Sequence, residues 1–427
     1  MQPILLFPAM NYGNLEIYFS AKSIDKENVL FIYNPSYVEQ ITPEGNYLVD
    51  DFASVEKLIK KIEKWITENN RKVGSIISLD DERQFKFSKQ IADWFKIECY
   101  SEETFRIASN KWLMKKEFVK NNVPTAKFKL ISENTDLRLL DLNYPNVLKI
   151  ISGNGSEYVF KNDTLKELET NIKKVKESIT EENDTRFKDI NDFDNNPINP
   201  KTELIVEEFI GGEEFSLDFC LKDETINILR VIQKYNHHNF GYFSAFYLLN
   251  KNTLIKKGIY LPKLEEIARK IADSLKINQG VCMIDFKVEK GEVVVIETNI
   301  RPGFSTFIPL MYKLYGYTSI AILSKIRLGQ KLGPLEIKEY EGLAINLFAK
   351  EPGIITKMDL SGIEKLKTEL KIIDMFIYNQ EGDNLSDSET SHHDLLVGCV
   401  YVKNPPKDKI EEIINKIHEN VKINVTR

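Results

Sequence analysis

The sequence predicts a multidomain protein of mixed α/β and α+β class, and three observations carry the prediction. Over residues 2–105, short apolar strands (4–7, 29–33 and 74–79) alternate with helical runs (54–68 and 82–95), the order of a layered α/β unit. Residues 204–221 and 283–298 each read as strand, tight turn, strand, with apolar runs broken at Gly211-Gly212 and at Lys290-Gly291. The length of 427 residues allows roughly two to four domains at ~100–200 residues each, and 42% hydrophobic content can give them cores. The expected division is an α/β unit at 1–105, a central unit at 106–330 and an α+β unit at 331–427.

Composition narrows the function classes. A net charge of −6 leaves no basic footprint for nucleic acid. The longest apolar runs are short and residues 1–10 lack a basic leader, so neither a membrane span nor an export signal is expected. Cys99, Cys220, Cys282 and Cys399 are scattered without a close pair, which fits a reduced, cytoplasmic protein.

In chain order, Lys111 follows Ser109-Asn110 and opens a helical run over 111–121 that Val123-Pro124 ends. A short strand over 144–149 ends in Lys149 and runs into the loop SGNGS, 152–156. Gly153, Gly155 and Ser156 there can bring backbone N–H groups against phosphates, with Lys149 as a point charge beside them. The loop is neither a Walker A sequence nor a dinucleotide fingerprint, since the Gly-Lys-Ser/Thr and Gly-x-Gly-x-x-Gly patterns are missing. Residues 180–202 are rich in Asn and Asp and read as a surface loop. The strand over 213–221 alternates, with Phe215, Leu217 and Phe219 on one face.

Residues 229–246 mix bases, aromatics and a glycine between two strands and read as substrate-contacting, with Arg230 or Lys234 able to reach a terminal phosphate. His237-His238 does not read as a zinc site, because neighbours on a strand face opposite ways and no Cys or third His lies near. A helix over 262–275 precedes the hairpin, and one or two helices over 306–327 follow it. The final third holds strands over 342–349, 371–379 and 395–403 and an amphipathic helix over 407–420, with His392-His393 on a loop.

The most telling stretch is GVCMIDFKVEKGEVVVIETNIRPG, 280–303. It sets Asp285, Glu297, Asn299 and Arg301 along two apolar strands, and burying carboxylates costs several kcal/mol each unless they are paired or bind a cation. The Lys290-Gly291 turn brings Asp285 and Glu297 to the same end of the hairpin, and Asn299 and Arg301 continue the two-residue spacing. Two carboxylates and a carboxamide suit Mg²⁺, which prefers oxygen and bridges carboxylates to phosphates. Arg301 would clamp the oxygens of a phosphoryl group or carboxylate.

These residues, with IETNIRPGFSTFIPLMYKLYG around them, resemble the metal-binding end of the ATP-grasp carboxylate–amine ligases. That family makes an acyl phosphate from a carboxylic acid and ATP, and a nucleophile then displaces the phosphate. Arg301, two residues after the asparagine, is similar to the branch of L-amino-acid ligases and carboxylase-like enzymes, and residues 350–402 resemble the C-terminal domain of the former. The resemblance implies an ATP-grasp unit at 106–330 behind a pre-ATP-grasp domain. Lys111 and Lys149 would then hold the α- and β-phosphates, and Asp285, Glu297 and Asn299 would hold one or two Mg²⁺, with Mn²⁺ as the alternative. Glu207 would meet the adenine amino group, the backbone of Glu208, Phe209 and Ile210 the rest of the ring edge, and Glu214 the ribose. Arg301, with Lys234 or Arg230, would face the transferred phosphoryl. Expected partners are small-molecule carboxylates and amines, with a carrier protein and a second copy of the chain as further candidates. The rival readings are loading of an amino acid onto a carrier thiol, bicarbonate activation, and an ATP-binding module without turnover.

Overall fold

The computed structural model describes residues 1–9, 14–40, 42–77, 82–153, 157–179, 190–193, 195–236, 243–386 and 395–426. The N-terminal strands form a parallel four-stranded sheet in the order Asn46–Val49, Val29–Tyr33, Gln2–Ala9, Arg71–Ile76. Parallel strands need cover on both faces, and the side chains divide accordingly. Ile4, Leu6, Leu30 and Ile32 share a core with Leu58 and Ile62 of helix Val55–Glu68 and Ile91 of helix Glu82–Phe95. Leu5, Phe7, Phe31 and Tyr33 share the opposite core with Ile320, Leu323 and Ile326 of helix Ser319–Arg327. A helix from the centre of the chain thus covers one face of the first sheet.

A second, antiparallel sheet runs Phe128–Ile131, Leu204–Glu208, Asn146–Ile150, Phe160–Asn162, with Leu168 and Val175 of helix Leu165–Ser178 packed in its core. The third sheet has eight strands in the order Glu292–Asn299, Gly280–Glu289, Glu213–Lys222, Thr225–Asn236, Phe243–Leu248, Gly342–Phe348, Leu396–Lys403, Ile372–Ile377. Every neighbouring pair in it is antiparallel. The three strands from the last part of the chain therefore extend the sheet that begins at the hairpin. Helix Leu261–Leu275 is amphipathic and buries Leu264, Ile267 and Ile271 in the main core with Phe215, Phe219 and Phe286.

One expectation is corrected. Leu204–Glu208 and Glu213–Lys222 do not pair across Gly211-Gly212; they belong to different sheets. The glycines carry the chain from one sheet to the next, and Gly212, at φ +80°, comes so near Val288 that a Cβ would lie 2.0 Å from its carbonyl oxygen. A small sheet of Gly353–Asp359, Lys422–Thr426 and Asn384–Leu385 and the helix Glu102–Ser109 are additional to the sequence reading. The central strand Gly353–Asp359 and the edge strand Lys422–Thr426 mix polar and charged residues (Thr356, Lys357, Lys422, Asn424) with their apolar ones, which masks them as strands in the sequence. Among the described residues no helix is long and apolar enough to cross a membrane, and all four cysteines are free.

Candidate active site

A cavity of about 480 Å³ lies where the second sheet faces the end of the third, within the ~300–1,000 Å³ range of small-molecule sites. One wall comes from Val147, Lys149, Lys161 and 207–210, the other from Glu214, Lys234, Asp285, Lys287 and 294–297. The walls are joined where Val295 N–H donates to the carbonyl of Pro124 at 2.7 Å.

Strand alternation and register explain how the charged groups converge. Across the third sheet, Lys234, Glu214 and Lys287 form one lateral row. Ile232, Ser216, Asp285 and Glu297 form the next, and Arg230, Asp218, Met283 and Asn299 the third. The rows are two residues apart, so they share one face. Phe215, Phe219 and Phe286 sit at alternate positions and fill the core on the other side.

Both hairpins reach this arrangement through a β-bulge. The turn at Lys290-Gly291 has φ of +53° and +83°, as a two-residue hairpin turn requires. Phe286 pairs with Val295 but Asp285 pairs with Glu297, so Ile296 is the extra residue. In the neighbouring hairpin Phe219 pairs with Ile228 and Asp218 with Arg230, leaving Leu229 as the extra residue. Without these insertions Asp285 would face Ile296 and Asp218 would face Leu229, because a one-residue slip exchanges the faces of a strand.

The site residues anticipated from sequence fall into four groups. Lys111, Lys149, Gly153, Glu207, Glu208, Phe209, Ile210, Glu214, Lys234, Asp285 and Glu297 all line the cavity. Asn299 and Arg301 are not in its lining; they follow Glu297 along the same strand and beyond its end, and Arg301 donates Nη1 to the carbonyl of Pro302 at 3.1 Å. Gly155 and Ser156 lie outside the described residues, as do His237, His238, His392 and His393. Arg230 departs from the expectation that it reaches a phosphate. It is fully buried away from the lining, with Nε and Nη2 each 2.8 Å from the carboxylate of Asp218.

Lysines and carboxylates interlock within the cavity. Lys111 Nζ donates to the carbonyl of Gly153 at 2.7 Å and lies 3.3 Å from Glu297 Oε2. Lys234 Nζ lies 2.9 Å from Asp285 Oδ2 and 3.1 Å from Glu214 Oε1. Burial pushes the Asp285 carboxyl up, Lys234 pulls it back, and the neighbouring Glu297 and Glu214 raise it again. Glu297 goes the other way: burial raises it, but Lys111, Lys149 and Lys234 outweigh that and leave it below the ordinary range.

Glu207 is the centre of a cluster that sequence reading only half identified. Its Oε2 accepts from Lys149 at 3.0 Å and lies 3.1 Å from Lys115 Nζ. Burial alone would raise its pKa, but Lys115 first and Lys149 second hold it down to about 2. Lys115 itself is pulled down by burial, against the attraction of Glu207 and with the help of Lys149. One carboxylate shared by two ammonium groups accounts for both directions: the acid is over-compensated and one base under-compensated. We take all three as charged, since each ammonium lies within 3.1 Å of the same oxygen.

Lys115 and Lys287 were missed in the sequence. Spacing is their one sequence signal, Lys115 a helical turn from Lys111 and Lys287 two residues along the strand from Asp285, and it does not by itself tell a buried lysine from a solvated one. Lys287 Nζ donates to the carbonyl of Ile210 at 2.9 Å, and with Lys161 it flanks the Phe209 ring, each ammonium 5.0 Å from the centroid. Two backbone donors near the expected adenine edge are engaged, Glu208 N–H by Lys127 O and Phe209 N–H by Pro145 O.

The residues fit a divalent cation at the hairpin. Asp285 Oδ1 is buried without a hydrogen-bond partner, and Glu297 stands opposite it in register. Among the described residues no three His, Cys, Asp or Glu side chains converge on one point, so a cation there would complete its shell with waters and substrate oxygens, as Mg²⁺ does.

Comparison with known proteins agrees with this geometry. Residues 142–305 match the family model described as the ATP-grasp domain. No curated protein matches the sequence. Among solved structures, an L-amino acid ligase from Bacillus licheniformis superposes with a TM-score of 0.69 at 17% identity, covering 100% of this chain and 99% of that one. The N5-carboxyaminoimidazole synthetase from Staphylococcus aureus complexed with ADP gives 0.67 at 15% identity, with 98% of each chain covered. A biotin carboxylase from Campylobacter jejuni, in a complex described as β-γ-ATP, gives 0.64 at 14% identity over 98% of this chain and 92% of that one. The three share their fold with this protein over nearly its whole length, and residues 142–305 within that fold match the ATP-grasp domain.

Proposed function

We propose that the chain is an ATP- and Mg²⁺-dependent ligase that activates a carboxylate, an amino acid by preference, as an acyl phosphate and joins it to an amine. The observation that carries this reading is the cavity. Six lysines and six carboxylates line it, and two carboxylate oxygens, Asp285 Oδ1 and Glu207 Oε1, are buried there without a partner. A balanced set of charges with two bare acceptors suits a polyphosphate that arrives with its cations and an amino-bearing base. Glu207 Oε1 would take the adenine amino group, the Glu208 and Phe209 carbonyls and the Ile210 N–H the rest of the ring edge, and Glu214 the ribose hydroxyls. Lys111, Lys149 and the 152–156 loop would hold the α- and β-phosphates, with Gly155 and Ser156 contributing N–H groups.

Asp285, Glu297 and Asn299 would hold Mg²⁺, which when bound supplies positive charge against the phosphate oxygens. The carboxylate oxygen of the acid attacks the γ-phosphorus and ADP leaves; the amine nitrogen then attacks the acyl carbon, phosphate leaves, and the amine releases a proton. Lys234 lies beside Asp285 and is the cationic side chain of the third sheet best placed to follow the γ-phosphoryl, and Arg301 would meet it from the strand end. Neither step needs a covalent protein nucleophile, so catalysis is positioning and charge neutralisation.

The test is ADP release across a panel of amino acids, each with and without a second amine. Release should require both, and Glu297→Gln should lower it about 100- to 1,000-fold and weaken ATP binding; unchanged ATP affinity counts against the reading. No ADP with any acid sinks the reading, and stimulation by bicarbonate alone moves the chain to the carboxylase class.

A further inference from the structure

We propose that Asp218 and Arg230 are a positioning pair: a fully buried ion pair that grips the main chain at Gly303 and so sets the direction in which Arg301 leaves the sheet. Its catalytic consequence rests on the ligase reading above. Neither side chain has any exposed surface. Arg230 donates Nε to Asp218 Oδ2 and Nη2 to Oδ1, both at 2.8 Å, the two parallel bonds of a guanidinium fork on a carboxylate. Asp218 Oδ1 also accepts the N–H of Gly303 at 2.9 Å.

The remaining face of Arg230 is fixed as well. Nη1 donates to the carbonyl of Ser216 at 3.3 Å, and the guanidinium lies over the Phe307 ring at 4.2 Å. Ser216 stands opposite Asp285 in register, and Asp218 stands opposite Met283, itself opposite Asn299. Asp218 therefore touches the loop after Arg301 while sitting one strand away from Asp285 and two from Asn299, with Arg230 one strand further out.

Gly303 records how close the contact is. A Cβ there would lie 2.0 Å from Arg230 Nη2 and 3.1 Å from Asp218 Oδ1, so only glycine lets the chain settle on the pair. Arg301 bonds the carbonyl of its neighbour Pro302, so its direction follows the backbone that Gly303 anchors. An apolar pair could fill the same volume without the cost of desolvating two charges. What it could not supply is an acceptor for the Gly303 N–H, and that is the work we assign to Asp218.

The experiment compares the full-length parent with the double variant Asp218→Leu/Arg230→Met, whose apolar side chains keep the volume, and with Gly303→Ala as an independent lesion. Both should keep ATP affinity, read by calorimetry, within about threefold and lower the rate of ADP formation about 100-fold, the scale of a 1 Å misplacement. Combined with Arg301→Ala, the double variant should add little further loss, because both act through the same guanidinium. Full additivity, or unchanged turnover, would overturn the proposal. A crystal structure of the double variant provides a readout without turnover: Asp285 and Glu297 should superpose on the parent while 301–303 shift, and an unmoved 301–303 path would also overturn it. A parent that forms no ADP with any acid defeats the ligase reading instead, and the structural comparison still decides this one.

Discussion

The chain buries one ionic cluster in the lining of the cavity and another outside that lining, and they are built on opposite principles. Arg230 and Asp218 are matched one to one: every oxygen of the acid is used, by the guanidinium and by Gly303, and nothing is left over. Lys115, Lys149 and Glu207 are mismatched, with two ammonium groups on one oxygen and the other oxygen bare. The closed pair has nothing to offer a ligand and holds the backbone. The open triad carries excess positive charge beside an empty acceptor, which is the condition of a site waiting for a polar, anionic molecule.

The comparison can be broken first at the closed pair. Asp218→Ala leaves a guanidinium buried without its anion and should cost about 3–5 kcal/mol of unfolding free energy by denaturant titration, whereas Asp218→Leu/Arg230→Met should cost far less. Equal losses would mean that packing and not pairing holds this region.

The open triad is tested by pH. Glu207 has a folded pKa near 2 against an ordinary 4.5. A depressed carboxylate stabilises the fold above its unfolded pKa and loses that stabilisation as the pH falls toward the folded value. The parent should therefore lose about 3 kcal/mol relative to Glu207→Gln between roughly pH 4.5 and 2. Parallel stability curves for the two proteins over that window would contradict the triad's charge state.

The smallest effect is expected at Lys115. Lys115→Met leaves Lys149 to hold Glu207 and should weaken ATP about 10-fold by calorimetry, equivalent to about 1.4 kcal/mol, with the melting temperature little changed. If ATP binding is untouched, the excess charge plays no part in nucleotide capture.

Much of this was legible in the sequence where the signal is local. The N-terminal strand and helix runs, the Lys290-Gly291 turn and the convergence of Asp285 with Glu297 follow from periodicity and turn chemistry; the structure has them, except that the strand expected over 74–79 runs Arg71–Ile76, with 78 and 79 outside the described residues. Lys111 and Lys149 could be singled out because each adjoins a helix start or a glycine loop. Lys115 could not, because a lysine in KWLMKKEF reads as a solvated helix face; only the docking of helix Lys111–Lys120 against Leu204–Glu208 buries it. Arg230 stands in the sequence as an alternative to Lys234 for reaching a phosphate, and the two share one face of their strand. What withdraws Arg230 is Asp218 on the neighbouring strand, a partner that no local pattern places beside it.

The register shifts at Ile296 and Leu229 divide each hairpin into two segments read in different frames. From the turn outward to Phe286 and Phe219 the pairing is that of an ordinary core ribbon; past the extra residue every side chain on that strand has changed sides. Point substitutions in the first segment can alter stability while leaving the ligands of the second where they are. A single-residue deletion at Ile296 would do the reverse, keeping the composition of the strand while turning Glu297, Asn299 and Arg301 out of frame with Asp285. Length, and not only identity, is thus part of what this site conserves of itself: the hairpins can vary at their tips, but the count of residues between bulge and strand end is fixed by the chemistry they deliver.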